Sequence, residues 1–382
     1  MKKLRNRKTF IFLLVSILII MLLSMLVGCN TQLNTYFSLA YFGTSINVYG
    51  YTTLSLFKTV EKEIDTVLTN LNNCIDLKIE DSDISKLNKS NPGETIEVNK
   101  YTYDLFKMAK DVYLDTNGAF DPSVYMLTDL WGFTSRFFNN EYKKEMPYDR
   151  DRNEDKSFNL PEEKYINGFK ELVDFSSFNS SEANGKYYIT KGEKEVEIDG
   201  IKYNQKIDFG GIAKGFACDL ISGIFEMHRI NRGYISIGNS SLSILRDELG
   251  RDFTILLTNP RYNGEEDKLQ TYCSFTLRNK KISTSGDYER YYTLNGKRYC
   301  HIINPKTGYP VDNEMLTVTL IGDSAAKLDA YSTALMILGY KDIENFNFEY
   351  SYIYNENNTL FAKSNIDGYK ITESSILAGT TK

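Results

Sequence analysis

Asp329 and Thr333 lie four residues apart, on one face of any helix running through residues 325–338. A carboxylate and a hydroxyl so placed are hard oxygen donors suited to Mg²⁺. The plainer reading is a solvated polar face. Leu328, Ala330, Ala334, Leu335 and Ile337 make the stretch largely apolar, however, and a buried acid wants a partner or a metal. A second segment, Ile207-Asp208-Phe209-Gly210-Gly211-Ile212-Ala213-Lys214-Gly215, reads as an acid at a strand end, two glycines and a helix start. Such a turn brings backbone N–H groups close to an anion, or is simple architecture. It is not a P-loop, because the lysine precedes the last glycine and no Ser or Thr follows. A third segment begins Thr284-Ser285-Gly286-Asp287-Tyr288 and passes a hairpin signal at Asn295-Gly296. It continues into His301-Ile302-Ile303-Asn304-Pro305-Lys306-Thr307-Gly308-Tyr309-Pro310. A lone histidine is usually structural, but one entering so turn-rich a loop suits a general base or a phosphate contact. The chain has two histidines, His228 and His301, so any metal must rely on oxygen ligands. That favours Mg²⁺ or Ca²⁺ over Zn²⁺.

The elements that must position these groups follow from pattern. A β-branched and aromatic run over residues 41–51 reads as a strand, and amphipathic helices are expected over 54–73 and 101–115. Strand-like runs recur at 195–198, 234–237, 253–258 and 274–277. One helix opens after Gly210-Gly211. Another is capped by Asp323 and closed by Gly339. Strand groups mixed with separate helices indicate an α+β fold, a single catalytic domain over 39–375. The charged segment 138–157 has no apolar period and is read as a surface insertion.

The 382 residues carry net charge −5, and the body is more acidic still. Lys2, Lys3, Arg5, Arg7 and Lys8 all precede an apolar run at 10–27, with no acid before Cys29. An acidic body argues against a general nucleic-acid binder, and plentiful aromatics argue against disorder. The basic, apolar, small-residue order ending in Gly28-Cys29 resembles a bacterial lipobox. Residues 1–28 would then be a signal peptide, Cys29 the lipidated first residue, and 29–38 a polar tether. A transmembrane anchor is the alternative. Either places the body outside the cytoplasm, tethered to the cell membrane. Cys74, Cys218, Cys273 and Cys300 have no patterned spacing and suggest no disulfide framework.

Taken together, the motifs resemble the ApbE family of flavin transferases, FAD:protein FMN transferases, from about residue 41 to 340. The likeness covers Gly43-Thr44-Ser45, Asp81-Ser82-Asp83-Ile84-Ser85-Lys86-Leu87-Asn88, Gly118-Ala119-Phe120-Asp121-Pro122-Ser123 and Leu130-Trp131-Gly132-Phe133. It then takes in the three segments above and the Asp329 to Thr333 helix. The resemblance implies FAD binding near Phe42, Ala119, Phe120, Asp121, Asp208, Lys214 and Ile302. It implies Mg²⁺ held by the Gly211 backbone oxygen, Asp329 and Thr333, with Trp131 packed behind the flavin loop. The implied reaction is Mg²⁺-dependent transfer of FMN from FAD to a Thr or Ser hydroxyl of an acceptor protein with an FMN-binding domain, releasing AMP. His301 would be the base. Alternatives are an FAD pyrophosphatase giving FMN and AMP, or a flavin-binding lipoprotein without catalysis. The chain departs from the family pattern at Lys78, at Asn239 within Gly238-Asn239-Ser240, and at Asn304.

Overall fold

Eight strands build the central sheet: β1 (Gln32–Ser38), β2 (Ile46–Thr52), β3 (Gly233–Ile237), β4 (Ser241–Leu245), β5 (Lys280–Gly286), β6 (Met315–Gly322), β7 (Glu349–Glu356) and β8 (Thr359–Ser364). They lie side by side in chain order, every pair antiparallel. The computed structural model describes residues 31–134, 160–245, 253–262, 270–357 and 359–371. The expected signal segment, Cys29 and the insertion expected at 138–157 lie outside them.

Helices enter as excursions between neighbouring strands. Between β2 and β3 the chain forms α1 (Leu54–Ile75), α2 (Lys100–Asp115) and α3 (Ala213–Met227); between β6 and β7 it forms α4 (Ala325–Leu338). In α1, Phe57, Val60, Ile64, Leu68 and Leu71 recur every three or four residues and are buried. Thr53 caps it by accepting from the Leu56 N–H at 3.3 Å. These helices share one core with Ile46, Val48, Ile235, Ile237, Val318 and Leu320 of the sheet. The opposite face, through Ile244, Ile282 and Ile321, packs on a small sheet of Phe253–Thr258, Thr271–Leu277 and Lys370–Ile371. The expected α+β class is therefore what the chain forms.

Three expectations are corrected. Residues 32–38 are a strand, not a tether: Asn34 Nδ2 donates to the Thr52 carbonyl at 2.9 Å and the Tyr36 hydroxyl to Asp65 at 2.7 Å. An edge strand buries only alternate side chains, so its polar composition hid it. The strand expected from residue 41 begins at Ile46, because Phe42 and Gly43 take positive φ (56° and 64°) and turn the chain. Asp323 does not cap α4. Ser324 does, accepting from the Lys327 N–H at 3.3 Å. Asp219 of α3 adds a carboxylate there, accepting from the Ala325 and Ala326 N–H groups at 2.9 and 3.1 Å, where the helix dipole favours negative charge.

The α3–α4 contact is very close. A Cβ on Gly215 would sit 2.1 Å from the Ala325 carbonyl oxygen, whereas one on Gly223, two turns along the same helix, would meet nothing within 4 Å. Gly215→Ala should lower stability by about 2–4 kcal/mol, since backbone cannot yield as a side chain can. Gly223→Ala should be neutral or stabilising by up to about 1 kcal/mol. Urea unfolding midpoints of the two variants test the contrast.

Candidate active site

The turns carrying the chemical residues are pinned from below. Asn88, from the Asp81 to Asn88 segment, clamps residue 207: its Nδ2 donates to the Ile207 carbonyl at 2.9 Å and its Oδ1 accepts from the Ile207 N–H at 2.8 Å. The Asp208 N–H donates to the Pro122 carbonyl at 3.0 Å, joining the Asp121 and Asp208 turns. Asp208 Oδ1 then accepts from the Gly210 N–H at 2.8 Å, folding the glycine pair into the start of α3.

Asp329 sits behind this turn. Its Oδ2 accepts from the Gly215 N–H at 2.7 Å, and its Oδ1 accepts from Ser241 at 2.6 Å and from Ser283. A carboxylate has about four acceptor positions, so one remains. Thr333 Oγ1 donates to the Asp329 carbonyl at 3.1 Å and keeps its own lone pairs. A Cβ on Gly211 would lie 3.7 Å from that oxygen and 3.1 Å from the Phe120 ring. Because the Gly215 N–H goes to Asp329, nothing among the described residues donates to the Gly211 carbonyl. The Ser240 hydroxyl, buried in the turn before Ser241, also has no partner among them. The expected trio of Gly211, Asp329 and Thr333 is thus brought together with acceptor capacity to spare. It could hold a hard cation through oxygen. The described residues contain no cluster of three or more His, Cys, Asp or Glu that could do so.

His301 lies close enough to Lys214, at the start of α3, and to Arg290 to feel both charges. Its Nδ1 lies 3.2 Å from the Arg290 carbonyl, which can only accept, so Nδ1 carries the proton and Nε2 presents a lone pair. Phe133 meets the ring edge-on at 6.4 Å. Burial, then the charges of Arg290 and Lys214, hold the imidazole well below its usual range. The carboxyl of Asp208 is pushed up by burial, opposed by the Gly210 N–H, Arg290 and Lys214. Arg290 was not singled out in the sequence. It is an exposed side chain in the turn after Tyr288, and only the fold shows that it shares the field of Lys214 and His301.

The remaining expected residues divide. Phe120 packs on Gly211, and half-buried Phe42 lies on its tight turn, but Ala119 and Ile302 are buried in the core. Asp121 is buried, with Oδ1 accepting from Ser123 N–H and Oγ at 2.8 and 2.5 Å and Oδ2 from the Phe175 N–H at 3.4 Å. Burial raises its carboxyl to about 6. It shapes the turn that carries Phe120. Trp131 is fully buried and donates from Nε1 to the Gly308 carbonyl at 2.8 Å, tying it to the 301–310 loop. His228 pairs with Glu63 at 2.8 Å at the end of α3. A groove of about 420 Å³, lined in part by Thr59, Lys62, Glu63, Ile224 and Met227, lies on this His228–Glu63 side of α1 and α3 and includes none of the expected site residues.

A family model described as the ApbE family matches residues 35–350. The chain belongs to the ApbE family. Among curated relatives, the FAD:protein FMN transferase of Buchnera aphidicola subsp. Schizaphis graminum is 30% identical over 263 residues, covering 68% of this chain and 66% of that protein. The FAD:protein FMN transferase of Escherichia coli (strain K12) is 24% identical over 280 residues, covering 73% and 71%. Among solved structures, the ApbE protein of Thermotoga maritima matches with a TM-score of 0.66 and 26% identity over 85% of this chain and 94% of that one. The flavin transferase ApbE of Vibrio cholerae shares the fold, with a TM-score of 0.68 and 22% identity over 87% and 97%.

Seen as an ApbE-family chain, two of its departures have physical explanations, and that at Lys78 has none in the structure. Asn304 Oδ1 accepts from the Lys306 N–H at 2.9 Å, a turn-forming bond that an aspartate would also make. Asn239 stands at φ 56°, where asparagine is among the better-tolerated side chains. Asp287, another carboxylate near the site, is held by Arg261 through two contacts of 2.7 Å and by Arg298 at 3.4 Å. For the metal trio, Asp329→Ala would strand three buried donors and should cost about 3–5 kcal/mol of stability. Thr333→Ala removes only a bond within the helix and should cost under about 1 kcal/mol. Thermal and urea unfolding without added metal should separate the two.

Proposed function

We propose that the protein is a lipid-anchored, extracytoplasmic transferase that moves FMN from FAD to a Thr or Ser hydroxyl of an acceptor protein, with Mg²⁺ bound and AMP released. The observation that carries this reading is the meeting of two cations, a neutral imidazole and a set of spare oxygen acceptors around one glycine turn. Lys214 and Arg290 suit a pyrophosphate, whose two negative charges an acidic body would otherwise repel. Gly211, Asp329 and Thr333 would hold Mg²⁺, which when bound neutralises the pyrophosphate and the departing phosphate.

His301 supplies the acid–base step. Its Nε2 takes the proton of the acceptor hydroxyl as that oxygen bonds to the FMN phosphorus. The bond from that phosphorus to the bridging oxygen breaks, and AMP leaves with the oxygen. An ordinary imidazole would be half protonated near pH 6.5. Burial beside two cations keeps this one neutral to lower pH, so the base stays competent in mildly acidic surroundings.

Incubation of the protein with FAD, Mg²⁺ and a candidate FMN-accepting domain, followed by intact-mass measurement, tests the function. An acceptor heavier by one FMN, with AMP released in equal amount, is expected. AMP and free FMN with an unchanged acceptor would instead indicate hydrolysis. His301→Ala should lower kcat by roughly 10²–10⁴ while FAD still binds. The acid limb of kcat/KM should fall well below pH 6.5, because a lowered pKa leaves the base deprotonated until the pH drops further. Arg290→Ala should shift that limb back toward 6.5 and raise the Kd for FAD about tenfold. A limb that does not move would remove Arg290 from the field of His301. For the anchor, mass spectrometry of membrane-extracted protein should find a lipidated chain starting at Cys29, and an intact Met1 would favour the transmembrane alternative.

A further inference from the structure

Only Asn30 and Thr31 separate Cys29 from β1, so the anchor meets the folded domain almost directly. Gln32 pairs with Thr52, at the far end of β1 and β2 from the turn that carries Phe42. In β3, Gly233 pairs with Gly50, and Ile237, at the other end, with Ile46 beside the site. A seven-residue strand puts about 20 Å between these ends. The helices agree. α1 starts at the Thr52 end and reaches the site turn, where the Tyr41 hydroxyl meets Thr69 Oγ1 at 2.9 Å. α3 starts at Ala213, just after Gly211, and runs back toward the loop that ends with the Arg232 carbonyl accepting from the Tyr51 N–H at 2.9 Å. The domain has an anchor pole and a site pole.

At the anchor pole, Leu33 and Leu54 are 48% and 51% exposed. Leu33 pairs with Tyr51, and the Arg232 guanidinium lies 3.5 Å over the Tyr51 ring. Arg229, on the same loop, is exposed. Apolar side chains, a tyrosine and arginines together match the boundary of a membrane with anionic headgroups. The acidic remainder of the body is repelled by the same surface, which favours this pole facing it. We propose that the pole formed by Leu33, Tyr51, Leu54, Arg229 and Arg232 rests on an anionic phospholipid surface and holds the active site about a strand length away, facing outward. The proposal rests on the lipid-anchored reading.

The full-length lipidated protein, reconstituted in phosphatidylglycerol–phosphatidylcholine vesicles, provides the test. The described cysteines are buried, so Leu54→Cys and Asn73→Cys can each carry a fluorophore. The two positions stand about 28 Å apart along α1. Nitroxide lipids labelled at the headgroup should quench the probe at 54 several times more strongly than the probe at 73. Arg229→Glu with Arg232→Glu should reduce that difference while the protein still floats with the vesicles. Equal quenching at both positions in floating protein would overturn the docking alone. Protein that fails to float would overturn the anchored reading and the docking with it.

Discussion

The buried carboxylate of Asp329 joins two helices and two adjacent strands of the central sheet. It sits in α4, takes the Gly215 N–H of α3, and accepts hydroxyls from Ser241 of β4 and Ser283 of β5. A buried charge is tolerated only when its lone pairs are filled, so two helices and two adjacent strands are held in one relative placement. Gly215 has to be glycine for the donor to come near enough, since any Cβ there would collide with the Ala325 carbonyl. A second carboxylate, Asp219, makes the matching tie one turn further along α3, accepting from Ser324 at 2.9 Å and from Lys281 at 2.6 Å. Between them the two acids fix the helix pair against the sheet.

The site is a consequence of that fixation. Because the Gly215 N–H is drawn to Asp329, the Gly211 carbonyl one turn earlier keeps its lone pairs, and the Cα of Gly211 faces Thr333. On the proposed reading, the turn's capacity for a cation and the rigidity of the helix pair have one cause. The electrostatics complement this. Lys214 and Arg290, the pair proposed to meet the pyrophosphate, also act on His301, whose imidazole is held well below its usual range by burial first and by these two charges second. On the proposed reading, one arrangement serves both binding and proton transfer.

Much of this was legible before the fold was known. The bounds of α4 at Ala325 and Leu338 follow from cap signals and an apolar run, and the shared face of Asp329 and Thr333 follows from helical spacing. The glycine turn after Asp208 announced a helix start. What stayed hidden depends on tertiary contact. Asp219 reads as an unremarkable acid within a helix until α4 is laid against it. Arg290 is one exposed cation among many until the hairpin after it returns His301 to its carbonyl. The strand at 32–38 was concealed by its edge position, where alternate polar residues satisfy both solvent and core. The strand order is simple, but the long segment 53–232 between β2 and β3 conceals it from any local pattern.

The central claim, that the Asp329 carboxylate ties α3 to the sheet, is tested most directly by amide hydrogen exchange at Gly215. First-turn amides of a helix lack intrahelical acceptors and ordinarily exchange quickly. If Asp329 holds the Gly215 N–H, that amide should exchange only through global unfolding, with a denaturant dependence matching that of the core strands, while the neighbouring Lys214 amide exchanges far faster. Fast, denaturant-insensitive exchange at Gly215, equal to that of Lys214, would contradict the account.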